Sequence, residues 1–179
     1  HYYFSKVPHV IRKNRNSVAV LNGNETKEQL FALGDDIFSY FGLGCRNVSK
    51  LMVPENYNFE KFFNAIEPYG NELLLHNKYL NNYDYYRAIY LMENVPFLTN
   101  NFVHLVQQEN IASPVSVLHY ETYSNHKVLQ QSLEVNADKI QCIISDENIT
   151  GKEIKFGQGQ QPSASDYADG VDTLHFLIE

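Results

Sequence analysis

The feature that most constrains this chain is a strand, helix, strand order between Ser17 and Val53. Ser17-Val18-Ala19-Val20-Leu21-Asn22 is a short apolar run ended by Asn22-Gly23-Asn24, the pattern of a buried strand followed by a turn. Thr26 and Gln29 stand at capping-box spacing. Leu30, Leu33, Ile37 and Phe41 then recur on one helical face, and the pattern turns Asp35 and Asp36 to water. Leu51-Met52-Val53, stopped by Pro54, reads as the next strand. Two buried strands around a helix make a βαβ unit, which demands parallel pairing.

Between that helix and its second strand lies Gly42-Leu43-Gly44-Cys45-Arg46. Glycine permits close backbone approach, and a cation beside a thiol favours thiolate, so the turn suits a nucleophile. Free cysteine is also a small hydrophobe that cores bury readily, and spacing identifies no His or Asn partner. Both readings stand at this point.

The rest of the chain continues the alternation. Asn58 to Ile66 reads as an amphipathic helix closed by Pro68 and Gly70, and about Glu72 to Glu93 as a longer helix crowded with tyrosines. Tyrosine packs its ring inward with its hydroxyl wet, which explains that crowding better than a stacking surface does. Asn101 to Val106 and Val115 to Thr122 read as strands, Ser124 to Val135 as a helix, and Lys139 to Ile144 as a buried strand that makes Cys142 structural. Gly157 to Pro162 is a loop lacking the third glycine of a dinucleotide fingerprint, and Thr173 to Ile178 forms a last strand. Such alternation predicts a layered α/β domain with a mainly parallel sheet, in which ligands gather at strand ends.

Composition excludes several classes. A net charge of −7 with one basic cluster, Arg12-Lys13-Asn14-Arg15, argues against nucleic-acid binding, and no apolar run reaches membrane-spanning length. Two cysteines make no disulfide framework, and neither they nor the seven histidines show metal-ligand spacing, so a reducing, cytoplasmic setting is expected. His104 and His119 lie on neighbouring strands and can meet, but core or rim positions explain them better. Sequons occur at Asn24, Asn47 and Asn148.

From Val18 through Phe38-Ser39-Tyr40-Phe41-Gly42-Leu43-Gly44-Cys45-Arg46-Asn47-Val48-Ser49-Lys50-Leu51, and again at Asp166 to Thr173, the chain resembles the LuxC-like acyl-CoA reductases of the aldehyde dehydrogenase superfamily. That resemblance implies an aldehyde dehydrogenase-like αβα catalytic domain over residues 1–179, with a cofactor-binding domain ahead of it in the whole protein and little turnover without that domain. It implies Cys45 as the acyl-carrying nucleophile, an acyl-CoA substrate, and NADPH or NADH bound mainly by the preceding domain. A homo-oligomer is compatible with it. Where superfamily dehydrogenases carry a Glu-Ile-Phe-Gly-Pro-like motif whose Glu contacts the nicotinamide ribose, this chain has Glu109-Asn110-Ile111-Ala112-Ser113-Pro114. Asn110 occupies the Glu position and Glu109 precedes it, so these two are the candidate cofactor residues.

The oxidising enzymes carry a carboxylate that activates water for hydrolysis. The matching stretch here, Ile11-Arg12-Lys13-Asn14, has none, which suits thioester reduction. Phe59, Phe62, Phe63 and Tyr79 are candidate walls for an acyl chain. A cysteine acyltransferase, or an assembly module with a structural cysteine, are the rival readings.

Overall fold

The computed structural model describes residues 3, 6–10, 14–164, 166–167 and 171–178. Its centre is the expected βαβ unit. Strand β1 (Asn16–Val20), helix α1 (Lys27–Phe38) and strand β2 (Val48–Pro54) follow in order, and β1 pairs parallel with β2. The α1 cap forms as its sequence dictates: Thr26 Oγ1 accepts from Gln29 N, and Gln29 Oε1 accepts from Thr26 N.

Helices α2 (Phe59–Ile66), α3 (Gly70–Leu73) and α4 (Asn77–Met92) come next, then β3 (Phe97–Thr99), β4 (His104–Gln107), β5 (Val117–Tyr123), α5 (His126–Val135), β6 (Ile140–Ile144) and α6 (Thr173–Ile178). The strands form one six-stranded sheet in the order β3-β4-β5-β2-β1-β6. Every pairing is parallel except β3 with β4.

Two hydrophobic clusters flank the sheet. Ala19, Leu21, Leu51 and Val53 pack with Leu30, Leu33 and Ile37 of α1 and Phe62 and Ile66 of α2. Val18, Val20 and Met52 pack with Leu129 and Leu133 of α5. Strands covered on both faces read as near-continuous apolar runs, Val18 to Leu21 at β1 and Leu51 to Val53 in β2, with the buried Ser49 and Lys50 as polar exceptions. Each of these side chains apart from Ala19 contributes about 1.5–3 kcal/mol by leaving water.

Four expectations are corrected. Asp36 is fully buried rather than turned to water, while Asp35 beside it is exposed. Phe62 and Tyr79 belong to the core, with Phe59 and Phe63 packed against it, so these four do not wall a substrate site. The long helix begins at Asn77 because the chain breaks after α3 and turns at His76. Thr173–Ile178 is helical: Phe176 N donates to Asp172 O at 3.0 Å, and the Asp172 carboxylate accepts from His175 N at 3.0 Å. Helix-terminal capping at Asp172 outweighs the apolar run there.

Tyr79 and Tyr83 do turn inward on α4, whereas Tyr85 is exposed. His104 and His119 sit two positions out of register, opposite Val117 and Val106, and take separate partners. His104 stacks on Tyr83 at 4.1 Å and its Nε2 lies 3.0 Å from Tyr83 O, while His119 Nδ1 lies 2.8 Å from Asn110 O. Burial lowers the pKa of both rings.

Because unfolded histidine protonates near pH 6.5, the unfolded chain binds more protons than the folded one below that pH. Each ring therefore contributes stability above pH ~6.5 that is lost as pH falls. His104→Gln should flatten the dependence of unfolding free energy on pH between about 7.5 and 5.5, as read from urea titrations at several pH values.

Candidate active site

Helix α1 ends at Phe38, and residues 39–42 continue as a 3₁₀ turn in which Tyr40 and Phe41 take φ of +53° and +59°. Phe41 consequently leaves the helical face that its spacing suggests and stacks on His76 at 4.0 Å, half-buried against the core. Two non-glycine residues in left-handed conformation store of order 1–3 kcal/mol each, so the surroundings must hold this turn.

Asn47 is what holds it. Its side chain is 1% exposed, its Oδ1 accepts from Gly44 N at 2.8 Å, and its Nδ2 donates to Asp36 O, Ile37 O and Ser39 O at 3.1, 3.2 and 2.9 Å. One amide thus satisfies the orphan carbonyls at the end of α1 and ties down the residue before the cysteine. A Cβ on Gly44 would lie 2.8 Å from Asn47 Oδ1, so only glycine allows the contact. Burial of Asn47 also excludes its sequon from use in the folded protein.

Cys45 is exposed at the crest of this turn, which removes the reading of a buried structural thiol. Its carbonyl accepts from the buried Ser17 Oγ at 3.1 Å. Cys142 on β6 is the buried one, and burial pushes its thiol up although Arg46 and Ser17 pull the other way; Cys45 lies among its electrostatic neighbours. Because Cys45 precedes β2, it stands at the amino end of the parallel strands, opposite the carboxyl-end crevice typical of doubly wound sheets.

A second network fixes Arg46. Its Nε donates to Gly159 O at 2.5 Å, and Gly159 N and Gly157 N donate to the Asp36 carboxylate at 2.7 and 2.6 Å. A Cβ at Gly159 would meet Asp36 Oδ1 at 2.8 Å, so the segment lies flush on α1. Burial pushes Asp36 up to about 6, with Asp35 adding to it and the two N–H donors and Arg46 opposing.

Glu109 and Asn110 follow β4, and both side chains are exposed. They line a polar cavity of about 520 Å³ together with Glu121 and Lys139. Their loop is anchored on β2: Ser49 Oγ donates to Ile111 O at 2.7 Å, and Lys50 Nζ donates to Glu109 O at 2.7 Å and pairs with Glu121 Oε2 at 2.5 Å. Lys50 is 3% exposed, and its ammonium group has both of these partners in place. Strand β2 therefore carries the cysteine turn at its start and the Glu109–Ile111 loop on its next two residues.

Sequence reasoning singled out Cys45, Glu109 and Asn110 but missed Asn47, Asp36 and Lys50. A polar residue inside a strand pattern, as at Lys50, was the one available signal. Of the segments expected to carry function, Ile11 to Lys13 and Ala168 to Gly170 lie outside the described residues. Among the described residues no helix is long and apolar enough to cross a membrane.

No protein-family model and no curated protein matches the chain. Solved structures do. A variant of Thermus thermophilus 1-pyrroline-5-carboxylate dehydrogenase superimposes with a TM-score of 0.50 and 11% identity over 91% of this chain and 42% of its own. An indole-3-acetaldehyde dehydrogenase in complex with NAD+ gives 0.47 and 12% over 66% and 30%, and lactaldehyde dehydrogenase from Escherichia coli 0.44 and 10% over 66% and 32%. The chain spans less than half the length of each. The first of these similarities establishes the fold, an aldehyde dehydrogenase-like α/β layer with a mainly parallel sheet.

Removing the clamp tests its role. Asn47→Ala strands Gly44 N–H and the α1 carbonyls and should cost about 2–4 kcal/mol in urea unfolding. Asn47→Asp keeps the acceptor, loses the donors, and should cost a similar amount. The Asp36 carboxyl carbon should titrate near pH 6 by NMR, not near the ordinary Asp value of 3.8.

Proposed function

We propose that this chain is the cysteine-bearing part of a nicotinamide-dependent oxidoreductase, and more narrowly of an acyl-CoA reductase that converts a thioester to an aldehyde. The observation that carries this is Cys45: an exposed thiol on a clamped glycine turn, at the sequence position where the resemblance puts the nucleophile. The aldehyde dehydrogenase-like fold supports the broader reading, and the Phe38 to Leu51 sequence the narrower one.

In this reading the Cys45 thiolate attacks the thioester carbonyl. A carbon–sulfur bond forms to Cys45, the bond to coenzyme A breaks, and coenzyme A leaves as its thiolate. The oxyanion that develops needs fixed donors, and the Cys45 backbone N–H, in a turn that cannot relax, is one of them. Ser17 holds the Cys45 carbonyl from below, which fixes the orientation of the peptide.

A reduced nicotinamide, NADH or NADPH, supplies hydride when bound. The residues that fit it here are Glu109 and Asn110, whose exposed side chains bring carboxylate and amide oxygens to a cavity suited to ribose hydroxyls. Lys50 sets the height of that loop through the Glu109 carbonyl. In this reading a reducing, cytoplasmic setting is the expected one.

The test is intact-protein mass after incubation with a series of acyl-CoAs without nicotinamide. A hydroxylamine-labile acyl adduct should appear on the wild type and disappear in Cys45→Ala. Absence of any adduct, together with resistance of folded Cys45 to iodoacetamide, would overturn the covalent mechanism and favour an assembly role. Adduct transfer to an acceptor thiol or amine without reduction by NADH or NADPH would favour an acyltransferase.

A further inference from the structure

A cavity of about 560 Å³ lies between α5, β6 and residues 150–154, on the other side of residue 15 from the cavity that holds Glu109. Its volume is that of a small-molecule site. Leu133, Ile140 and Ile154 give it an apolar wall, and Arg15, Arg46 and Lys152 line it against two carboxylates, Glu134 and Asp166. The chain carries a net charge of −7, and among the described lining residues three cations stand against two anions.

Arg46 gives the cavity its chemistry. The Asp36, Gly159, Arg46 network occupies Nε and fixes the guanidinium plane. Among the described residues the buried Nη2 has no hydrogen-bond acceptor, and Asp166 Oδ2 stands 3.9 Å from it, beyond hydrogen-bond reach. A buried guanidinium N–H without an acceptor costs about 1–3 kcal/mol, and a guanidinium held in one plane selects carboxylate or phosphate oxygens.

We propose that this cavity binds a single-chain amphiphilic anion, with a carboxylate or phosphate head on Arg46 and an aliphatic arm along Leu133, Ile140 and Ile154. The two heads share one recognition chemistry, a charge-assisted hydrogen bond from a positioned guanidinium with Lys152 adding long-range attraction. Asp36 is a positioning residue for this site, acting through Gly159. The inference does not rest on the thioester reading, because no bond is made and Cys45 takes no part in holding the ligand.

The experiment titrates the protein with dodecanoate, dodecyl phosphate and neutral dodecanol, each below its micelle concentration, following the methyl resonances of Ile140, Ile143 and Ile154 by NMR. At least one anion should shift these methyls in a saturable way, the tighter of the two naming the head group, with dodecanol about tenfold weaker. Arg46→Gln should weaken the anion about tenfold, and Asp36→Asn by about threefold with Arg46 retained. Asp166→Asn, at an exposed position, should tighten binding about threefold by removing the competing charge, and Ala137→Trp at the exposed rim should block it.

Equal affinity for dodecanol, weaker binding in Asp166→Asn, unaltered binding in Ala137→Trp, or no methyl shift with either anion would each overturn the site. The last two variants lie on the surface, so they decide the matter if Arg46→Gln does not fold. Anion binding without an acyl adduct on Cys45 would leave this site standing and remove the thioester mechanism. An acyl adduct without anion binding would do the reverse.

Discussion

The structure around the cysteine depends on the side-chain amide of Asn47. A helix end normally leaves four carbonyls to water or to a glycine cap, but here the chain must turn sharply while burying that end. Asn47 resolves the conflict by donating to three carbonyls and accepting from the amide of Gly44. The left-handed pair Tyr40 and Phe41 sits inside this bond set, which offsets its strain. Cys45 thus stands exposed on a turn that these hydrogen bonds hold.

Much of the fold was legible because it is locally encoded. The Thr26 and Gln29 cap and the apolar runs Val18 to Leu21 and Leu51 to Val53 each draw on residues within four positions. What was not legible depends on distance along the chain. Asp36 belongs to the polar part of the α1 wheel, and its partners Gly157 and Gly159 lie 121 and 123 residues away. No local pattern distinguishes a carboxylate facing water from one facing two amides of a segment yet to fold. Likewise Phe62 and Tyr79 read equally well as cavity walls or as core, since apolar spacing tells which face is buried but not what covers it.

The candidate site shows the same division. Cys45 stood out through its flanking glycines, and Glu109 and Asn110 through a resemblance of loop sequence. The residues that set their geometry did not, because Asn47, Ser49 and Lys50 act by holding backbone atoms of other segments. Their electrostatics follow from burial. Lys50 has the Glu121 carboxylate beside it, whereas Asp36, held by neutral amides and opposed only weakly by Arg46, is pushed toward neutrality by burial.

Strand β2 has a consequence for how such a site can vary. Both the thiol turn and the Glu109–Ile111 loop are pinned to consecutive stretches of one central strand, hydrogen-bonded to neighbours on either side. Thermal motion of β2 carries both loops together, as two arms on a single beam, and leaves the spacing between them nearly constant. Altering that spacing takes a change of loop length or of the pins themselves at Ser49 and Lys50. Substitutions elsewhere in the sheet can shift stability without moving the Cys45 turn relative to the Glu109–Ile111 loop.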